Sequence, residues 1–517
     1  MQRTTGVVDP SAAAVDAGGG PAARPTRGKS HRNLALLGVV AVLYTAVQAL
    51  LVTPYIFLSW DESLYASQFA PGVPPAYMSA PRAYGMAYLI APVTFFTSSV
   101  TAIRIYLTLL AGAGLFLAYW PWLRVRDSAA VPLAAFLFGS LWLMVFYGSQ
   151  IMPNIYIAYG AVAATGLFLL AAKQPAIRAR WWPLAGLAAV LIVIGLLRPT
   201  DAVWIAIPLF LGCLAVPAWR RWAPLAVMTV GIGLGILPWV IDSFERFGGL
   251  SGRFEAISEA NATGVRFVLF RHLGSLSNEM LVCGAWEDDC GGYSLGVILW
   301  WCAVPILVGL GLYALRKAGQ LRAGLLAVAV AGTIAVPYLL ITGHANPRYL
   351  LPTYALLAIP AAFGLVRLAS LRTSRGWPGI ARPGLVGGVL AVFVGAQLWT
   401  AADVADKLRP ARTTDERVAA RLAELGIRPP CFILGNHGPQ VAYAAKCRGQ
   451  GRVAEGLPTD QAAQNAWRRI KREMRRPDRR VAVIAIEENG PGNFPAGWRV
   501  VRLWPDQPWY AHLPPDQ

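Results

Sequence analysis

The sequence predicts an α-helical polytopic membrane protein of about eleven transmembrane helices, followed by a small C-terminal α/β domain. Three observations carry that prediction. The 517 residues are 56% hydrophobic and 14% charged, with a mean hydropathy of +0.47; an ordinary soluble domain has about 25% charged residues, so a soluble enzyme is excluded. From residue 34 onward, apolar runs of roughly 17 to 22 residues recur, the length a helix needs to cross about 30 Å of hydrocarbon. Past residue 402 the runs stop and short strand-like segments begin.

Residues 1–33 are rich in Ala, Gly, Pro and Arg without periodicity and read as a disordered cytoplasmic tail. They are not a cleavable signal, because the first apolar run is too long for a signal-peptide core. The spans are placed at 34–53, 102–122, 129–147, 155–172, 182–197, 202–218, 223–241, 294–315, 323–341, 350–369 and 384–401. Gly and Pro within them are tolerated, since neighbouring helices re-satisfy freed backbone groups. Residues 34–402 thus form the membrane region and 403–517 a separate domain.

Lys plus Arg number 46 against 27 Asp plus Glu, a net charge of +19. The basic residues follow every even-numbered span: Arg124 and Arg126, Lys173 to Arg180, Arg220 and Arg221, Arg316 to Arg322, Arg367 to Arg382. The positive-inside rule puts these loops and the N-terminus in the cytoplasm of a cell-membrane protein, and the C-terminal domain outside. Cysteine usage agrees. Cys213 and Cys302 lie within spans, whereas Cys283, Cys290, Cys431 and Cys447 fall where this topology expects an oxidising compartment, so the pairs Cys283–Cys290 and Cys431–Cys447 are expected.

The outer loops hold the candidate chemistry. Ser59-Trp60-Asp61-Glu62-Ser63-Leu64-Tyr65-Ala66 sets two adjacent carboxylates immediately beyond the first span, where acids are functional candidates. Both could equally be the solvated N-terminus of a short interfacial helix. The same loop continues through Pro81-Arg82-Ala83-Tyr84-Gly85 into an apolar stretch too short to span before Pro92. Further outer elements are the turn Ser149 to Asn154, Arg198-Pro199-Thr200-Asp201, and His344-Ala345-Asn346-Pro347-Arg348-Tyr349. Arginine is sparse on this face, so Arg82, Arg198 and Arg348 suit a phosphate at headgroup depth, which a guanidinium binds with two hydrogen bonds. Taken singly, each could instead snorkel to lipid or pair with an acid such as Asp201.

A Trp-Asp-Glu-x-x-Tyr-Ala pattern, a Pro-Arg-x-Tyr-Gly stretch, a Met-Pro turn, an Arg-Pro turn and an Asn-Pro-Arg-Tyr-Leu-Leu-Pro motif occur in that order. Over residues 34–402 the set resembles the GT-C superfamily of integral-membrane glycosyltransferases, in its protein O-mannosyltransferase and aminoarabinose-transferase branch. The resemblance implies a donor sugar, mannose or a pentose such as arabinose, on a polyprenyl monophosphate, and an inverting transfer to a glycan, lipid or peptide acceptor. It also implies Asp61 as base, with Glu62 as orienting partner or substitute, and Arg348 and Tyr349 at the donor phosphate with Arg82 and Arg198 beside them. Tyr65, Asn154 and His344 are expected polar contacts to donor or acceptor. Many relatives carry an acid near the Met-Pro turn where this chain has Asn154, and an amide is neither a base nor a strong metal ligand. No cofactor is therefore expected, and a divalent metal, though possible, has no support in the sequence. The acidic run Glu287-Asp288-Asp289 reads as the tip of a disulfide loop rather than a metal site.

Nothing resembles a nucleophilic triad, a phosphate-binding Walker loop, a zinc pattern or a nucleotide-sugar Asp-x-Asp site, so a lipid-linked donor fits better than a nucleotide sugar. A polyisoprenoid-sugar or lipid transporter is the competing reading, and a noncatalytic scaffold the third; a transporter should carry ionisable residues near the midplane of its helices. The loop 242–293 reads as short amphipathic helices over the site mouth. In the tail, helical spacing at 413–426, a buried strand at Cys431–Leu434, a basic helix at 459–476, and strands at Val481–Ile486 and Arg499–Trp504 suggest a compact α/β unit. On the outer face its Arg-rich cluster suits membrane lipid or an anionic acceptor rather than nucleic acid.

Overall fold

The computed structural model describes residues 27–52, 56–173, 177–261, 263–284, 290–370, 381–435, 437–451, 468–476, 478–486 and 497–515. The disordered tail predicted for the first residues, up to residue 26, and the acidic run 287–289 lie outside them.

Helix α1 (Arg27–Leu51) leads into two short elements, α2 (Trp60–Ala66) and α3 (Gly85–Thr94). Then follow α4 (Val100–Val125), α5 (Ala130–Gly139), α6 (Trp142–Tyr147), α7 (Pro153–Lys173), α8 (Ile177–Leu197), α9 (Pro199–Ala215) and α10 (Trp222–Phe247). The loop beyond α10 carries two short helices where the sequence predicts such helices, α11 (Leu250–Asn261) and α12 (Leu269–Ser277), of which α12 is amphipathic. The membrane region ends with α13 (Leu295–Lys317), α14 (Leu321–Leu340), α15 (Leu351–Ser370) and α16 (Ala381–Glu424).

The predicted spans fall on helices, the one at 129–147 on two, and the count of eleven is not itself reproduced. Among the described residues, eight helices are long and apolar enough to cross a membrane: α1, α4, α7, α10, α13, α14, α15 and α16. The apolar parts of α8 and α9 are shorter, and the span predicted at 129–147 is broken. Leu141 leaves the helix with an extended backbone (ψ 136°), and the Trp142 N–H freed there is accepted at 2.8 Å by Gln397 Oε1 of α16. A side chain from a neighbouring helix thus replaces the lost ladder bond. Helix α7 is buried along its length at the centre of the bundle, while α13 and α16 present apolar side chains such as Ile306, Val389 and Val392 outward. Small residues let α13 and α15 touch backbone to backbone: a Cβ at Gly311 would collide with the Pro360 carbonyl.

The ends of α4 and α7, the turn between α13 and α14 and the start of α1 meet at one end. Lys173 Nζ donates to Val125 O at 3.0 Å and lies 3.4 Å from Gln320 Oε1, and Asn33 reaches Asp127 at 2.7 Å. Helices α1 and α4 run in opposite directions between that end and the end that carries α2.

No break occurs at residue 402. Helix α16, 44 residues long in all, runs on past it into the C-terminal domain, where Val418 and Leu422 are buried against its sheet. The sheet comprises β1 (Cys431–Gly435), β2 (Arg448–Gly451), β3 (Arg480–Ala485), β4 (Arg499–Trp504) and β5 (Gln507–Leu513), in the order β2-β1-β3-β5-β4. β1 pairs in parallel with β2 and β3, and β5 runs antiparallel to β3 and β4. Alternation sends Cys431 and Ile433 to one face with α17 (Gly438–Ala445), and Phe432 and Leu434 to the other with Ile470 of the basic helix 468–474. Both expected disulfides form, Cys283–Cys290 and Cys431–Cys447, with Cα atoms 5.6 and 4.9 Å apart.

The domain sits on the end that carries α2. A Cβ at Gly451 would strike the Trp60 ring, and Tyr443 Oη donates to Ser98 O at 3.0 Å.

Candidate active site

Ser59 begins α2 with a capping box. Its backbone N–H and hydroxyl donate to Glu62 Oε2 at 2.7 and 2.8 Å. Glu62 Oε1 accepts from the Ile151 N–H at 2.8 Å and from Arg104, whose Nη2 also reaches Oε2 at 3.1 Å. The rest of the Arg104 fork is spent on backbone carbonyls: Ile56 at 3.1 Å, Phe57 at 2.9 Å and Ser149 at 2.8 Å. Both side chains are buried, Glu62 at 0% and Arg104 at 1% exposure. This pair fastens the loop after α1, helix α4 and the turn before α7 into one body.

Successive side chains on a helix point about 100° apart, so Asp61 faces elsewhere. Its carboxylate is 23% exposed and accepts from two arginines. Arg82 donates to Oδ1 through Nη2 and through Nε at 3.1 Å, and Arg348 Nη2 donates to Oδ2 at 3.1 Å. Burial raises the Asp61 pKa, but Arg82 and Arg348 more than offset it and hold the carboxyl below its ordinary range. Tyr65, four residues on and hence on the same face, is buried, which pushes its hydroxyl up to about 12 within electrostatic reach of Arg82, Asp61, Arg198 and Arg348.

Arg348 is presented by a short 3₁₀ turn, Pro347–Leu350, capped by Asn346 Oδ1 on the Arg348 N–H at 3.3 Å. Its guanidinium lies 5.5 Å from the Tyr147 ring and 5.8 Å from the Tyr349 ring. Tyr349 also faces Arg198 at 5.1 Å and lies 4.8 Å from the Tyr338 ring at a 31° tilt, and His344 Nε2 sits 3.3 Å from the Tyr349 hydroxyl. Arg198 is 3.8 Å from Asp201, which accepts from the Tyr338 hydroxyl at 2.5 Å. Among the described residues, Arg348 Nε and Arg198 Nη1 are buried without a hydrogen-bond partner. The cluster therefore has cationic donors to spare around a single accessible acid.

Arg82 is itself held from behind. Arg253, fully buried, donates to the carbonyls of Ala80 at 3.0 Å and Arg82 at 2.7 Å while Asp242 accepts from its Nη1 at 2.6 Å. Arg246 reaches Met78 O, the Tyr84 hydroxyl at 3.2 Å and Asp242 at 3.2 Å. The strap 78–84 is thus clamped by α10 and α11 from its carbonyl side.

No protein-family model and no curated protein sequence matches the chain. Solved structures do. ArnT from Cupriavidus metallidurans bound to undecaprenyl phosphate superposes with a TM-score of 0.60 at 15% identity, over 93% of this chain and 97% of that one. The Archaeoglobus fulgidus oligosaccharyltransferase AglB, in complex with an inhibitory peptide and a dolichol-phosphate, gives 0.54 at 14% identity, over 89% and 70%. The arabinofuranosyltransferase AftD from Mycobacteria gives 0.50 at 14%, over 93% and 40%. The chain has the GT-C fold.

In this GT-C chain the first-loop acid, the Pro-Arg stretch, the Arg-Pro turn and the Asn-Pro-Arg-Tyr motif converge, bringing Asp61, Tyr65, Arg82, Arg198, His344, Arg348 and Tyr349 into one cluster. The Met-Pro turn serves it from behind. Asn154 is buried in the first turn of α7, and Ile151 before it binds Glu62. Glu62, expected as orienting partner or substitute for Asp61, has its oxygens engaged by Arg104, Ser59 and Ile151, the arrangement of an orienting partner. Sequence reasoning missed Arg104, Tyr147, Tyr338, Asp242 and Arg253. A lone arginine within the second predicted span was a usable signal for the first, since a charge placed there requires a partner.

Proposed function

We propose that the chain is a glycosyltransferase that moves a sugar, mannose or a pentose such as arabinose, from a polyprenyl-monophosphate donor to a glycan, lipid or peptide acceptor. The observation that carries the reading is one partly exposed carboxylate, Asp61, bracketed by Arg82 and Arg348 at a helix end. The ArnT structure of the same fold, bound to undecaprenyl phosphate, supports the donor class. The basic ends of α4 and α7, at the end opposite Asp61, support an outward-facing site with the N-terminus in the cytoplasm.

Donor phosphate enters where the Asp61 carboxylate now holds the two guanidiniums, and draws Arg348 and Arg82 toward itself. Asp61, relieved of its cations, becomes a better base. It takes the acceptor hydroxyl proton as the acceptor oxygen bonds to the anomeric carbon from the face opposite the phosphate. The bond from that carbon to the phosphate oxygen breaks, its electron pair leaves with the polyprenyl phosphate, and the configuration inverts. Arg348 and Arg82 stabilise the developing charge, while a positioned base contributes about 10² to 10⁴. Glu62 holds the helix that aims Asp61.

The charged groups of the site lie at helix ends, as an enzyme working at the membrane boundary requires. Incubating the purified protein with a panel of polyprenyl-phosphate sugars and candidate acceptors tests the reading. Consumption of one donor with release of polyprenyl phosphate is expected, and vectorial movement of intact donor across a vesicle without cleavage would favour a transporter.

A further inference from the structure

The cationic helix 468–474 lies against the strap that carries Arg82. Arg469, partly buried, places its guanidinium 5.4 Å from the Tyr77 ring, and Arg246 lies 4.9 Å from the same ring. Tyr77 stands five residues before Arg82. At the neighbouring edge, Gly451 at the end of β2 abuts Trp60, next to Asp61. This part of the C-terminal domain is therefore continuous with the wall of the Asp61 site.

The helix is not internally neutralised. Glu473, the one acid among residues 468–476, is buried and already engaged by Arg479, by Arg448 at 3.7 Å and by Arg476 at 4.0 Å. Lys471, Arg472 and Arg475 are exposed and have no acidic partner among the described residues. Burial, together with the like charges of Arg472 and Arg448, pulls Arg469 below its ordinary pKa, with Tyr77 acting against them. Guanidiniums held within repelling distance store electrostatic free energy that a bound anion releases.

We infer that Arg469, set beside Tyr77, together with Lys471 and Arg472 of the same helix and Arg448 of β2 next to it, forms an anion-binding surface for an acceptor glycan bearing phosphate, sulfate or carboxylate groups. Ile470 is committed to the sheet and Met474 is the one exposed apolar side chain of the helix, so its open face is mainly cationic, suited to a hydrophilic polyanion rather than to insertion among acyl chains. The term acceptor rests on the glycosyltransferase reading; the anion site does not.

The test uses the full chain in phosphatidylcholine nanodiscs, with a heparin-derived sulfated hexasaccharide as probe and maltohexaose as the neutral control. Salt-sensitive binding of the sulfated probe alone is expected. Lys471→Gln with Arg472→Gln, both exposed and free of packing roles, should weaken it about tenfold, while Arg499→Gln with Arg502→Gln on β4 should not. Undecaprenyl phosphate binding should be unchanged in the first variant. The inference is overturned if the wild type ignores the probe, if both variants lose it equally, if undecaprenyl phosphate binding falls with it, or if binding appears only when phosphatidylglycerol is added, which would make the surface a bilayer contact. Expected probe binding in a protein that transfers no sugar would sink the transferase reading and leave the anion site standing.

Discussion

Arg348 donates from Nη2 to Asp61 Oδ2 at 3.1 Å, joining the turn before α15 to the loop after α1 across 287 residues of chain. The arginine best placed to hold a donor phosphate is thus the one that holds the proposed base. Carboxylate and phosphate would compete for the same fork, so the proposed function makes donor binding and activation of Asp61 coupled events.

That coupling fixes the pH dependence. Without donor, Arg82 and Arg348 outweigh burial and depress the Asp61 pKa below its ordinary range, so the base stays ionised to lower pH than a free carboxylate does. With donor bound, the guanidiniums turn to phosphate and the carboxyl rises. Since kcat/KM reports the free enzyme and kcat the complex, the acid limb of kcat should lie at higher pH than that of kcat/KM for donor. Coincident limbs would show that Asp61 keeps its arginines throughout.

Arg348→Ala should lower donor affinity about tenfold or more and turnover as well, because the lost contacts serve both the bound phosphate and the departing charge. Arg348→Lys should recover only part, since an ammonium lacks the planar fork. Titration with undecaprenyl phosphate beside steady-state rates separates the two effects. An unchanged affinity would move the phosphate elsewhere.

The membrane helices were legible because apolar length is a local property, and their ends were legible because basic residues mark them. The break at Leu141 was not, since it depends on Gln397 arriving from 255 residues away to satisfy the Trp142 N–H. Asp61, Arg82 and Arg348 could be nominated from ordered motifs, but not their mutual contact. The pairing of Glu62 with Arg104 was invisible because adjacent acids look alike in sequence, and only the helix rotation sends one to a buried arginine and the other to the opening. In the tail, β2 (Arg448–Gly451) carries no apolar alternation, so its strand was missed.

Glu62→Gln should act on stability first. It leaves the Arg104 charge buried beside a neutral amide, a change that costs about 3 to 5 kcal/mol when a buried pair is broken, and the thermal unfolding temperature should fall sharply. Unchanged thermal stability with abolished turnover would instead make Glu62 a chemical participant.

Arg253→Lys keeps the charge beside Asp242 but cannot span the carbonyls of Ala80 and Arg82. Amide hydrogen exchange over 78–84 should quicken, and donor affinity should drop. In an Arg82→Ala background the same change should add little, because Arg253 acts through Arg82. Full additivity in that cycle would give Arg253 a separate role.

The most direct measurement compares wild type with Asp61→Asn in one preparation, following release of polyprenyl phosphate under saturating donor while undecaprenyl phosphate binding is measured in parallel. The amide keeps shape but takes no proton and no longer competes for Arg348 as a carboxylate. Turnover should fall by at least about 10² while phosphate affinity is retained or increased. Near-normal turnover in Asp61→Asn, or loss of phosphate binding together with turnover, would contradict the assignment of Asp61 as the base.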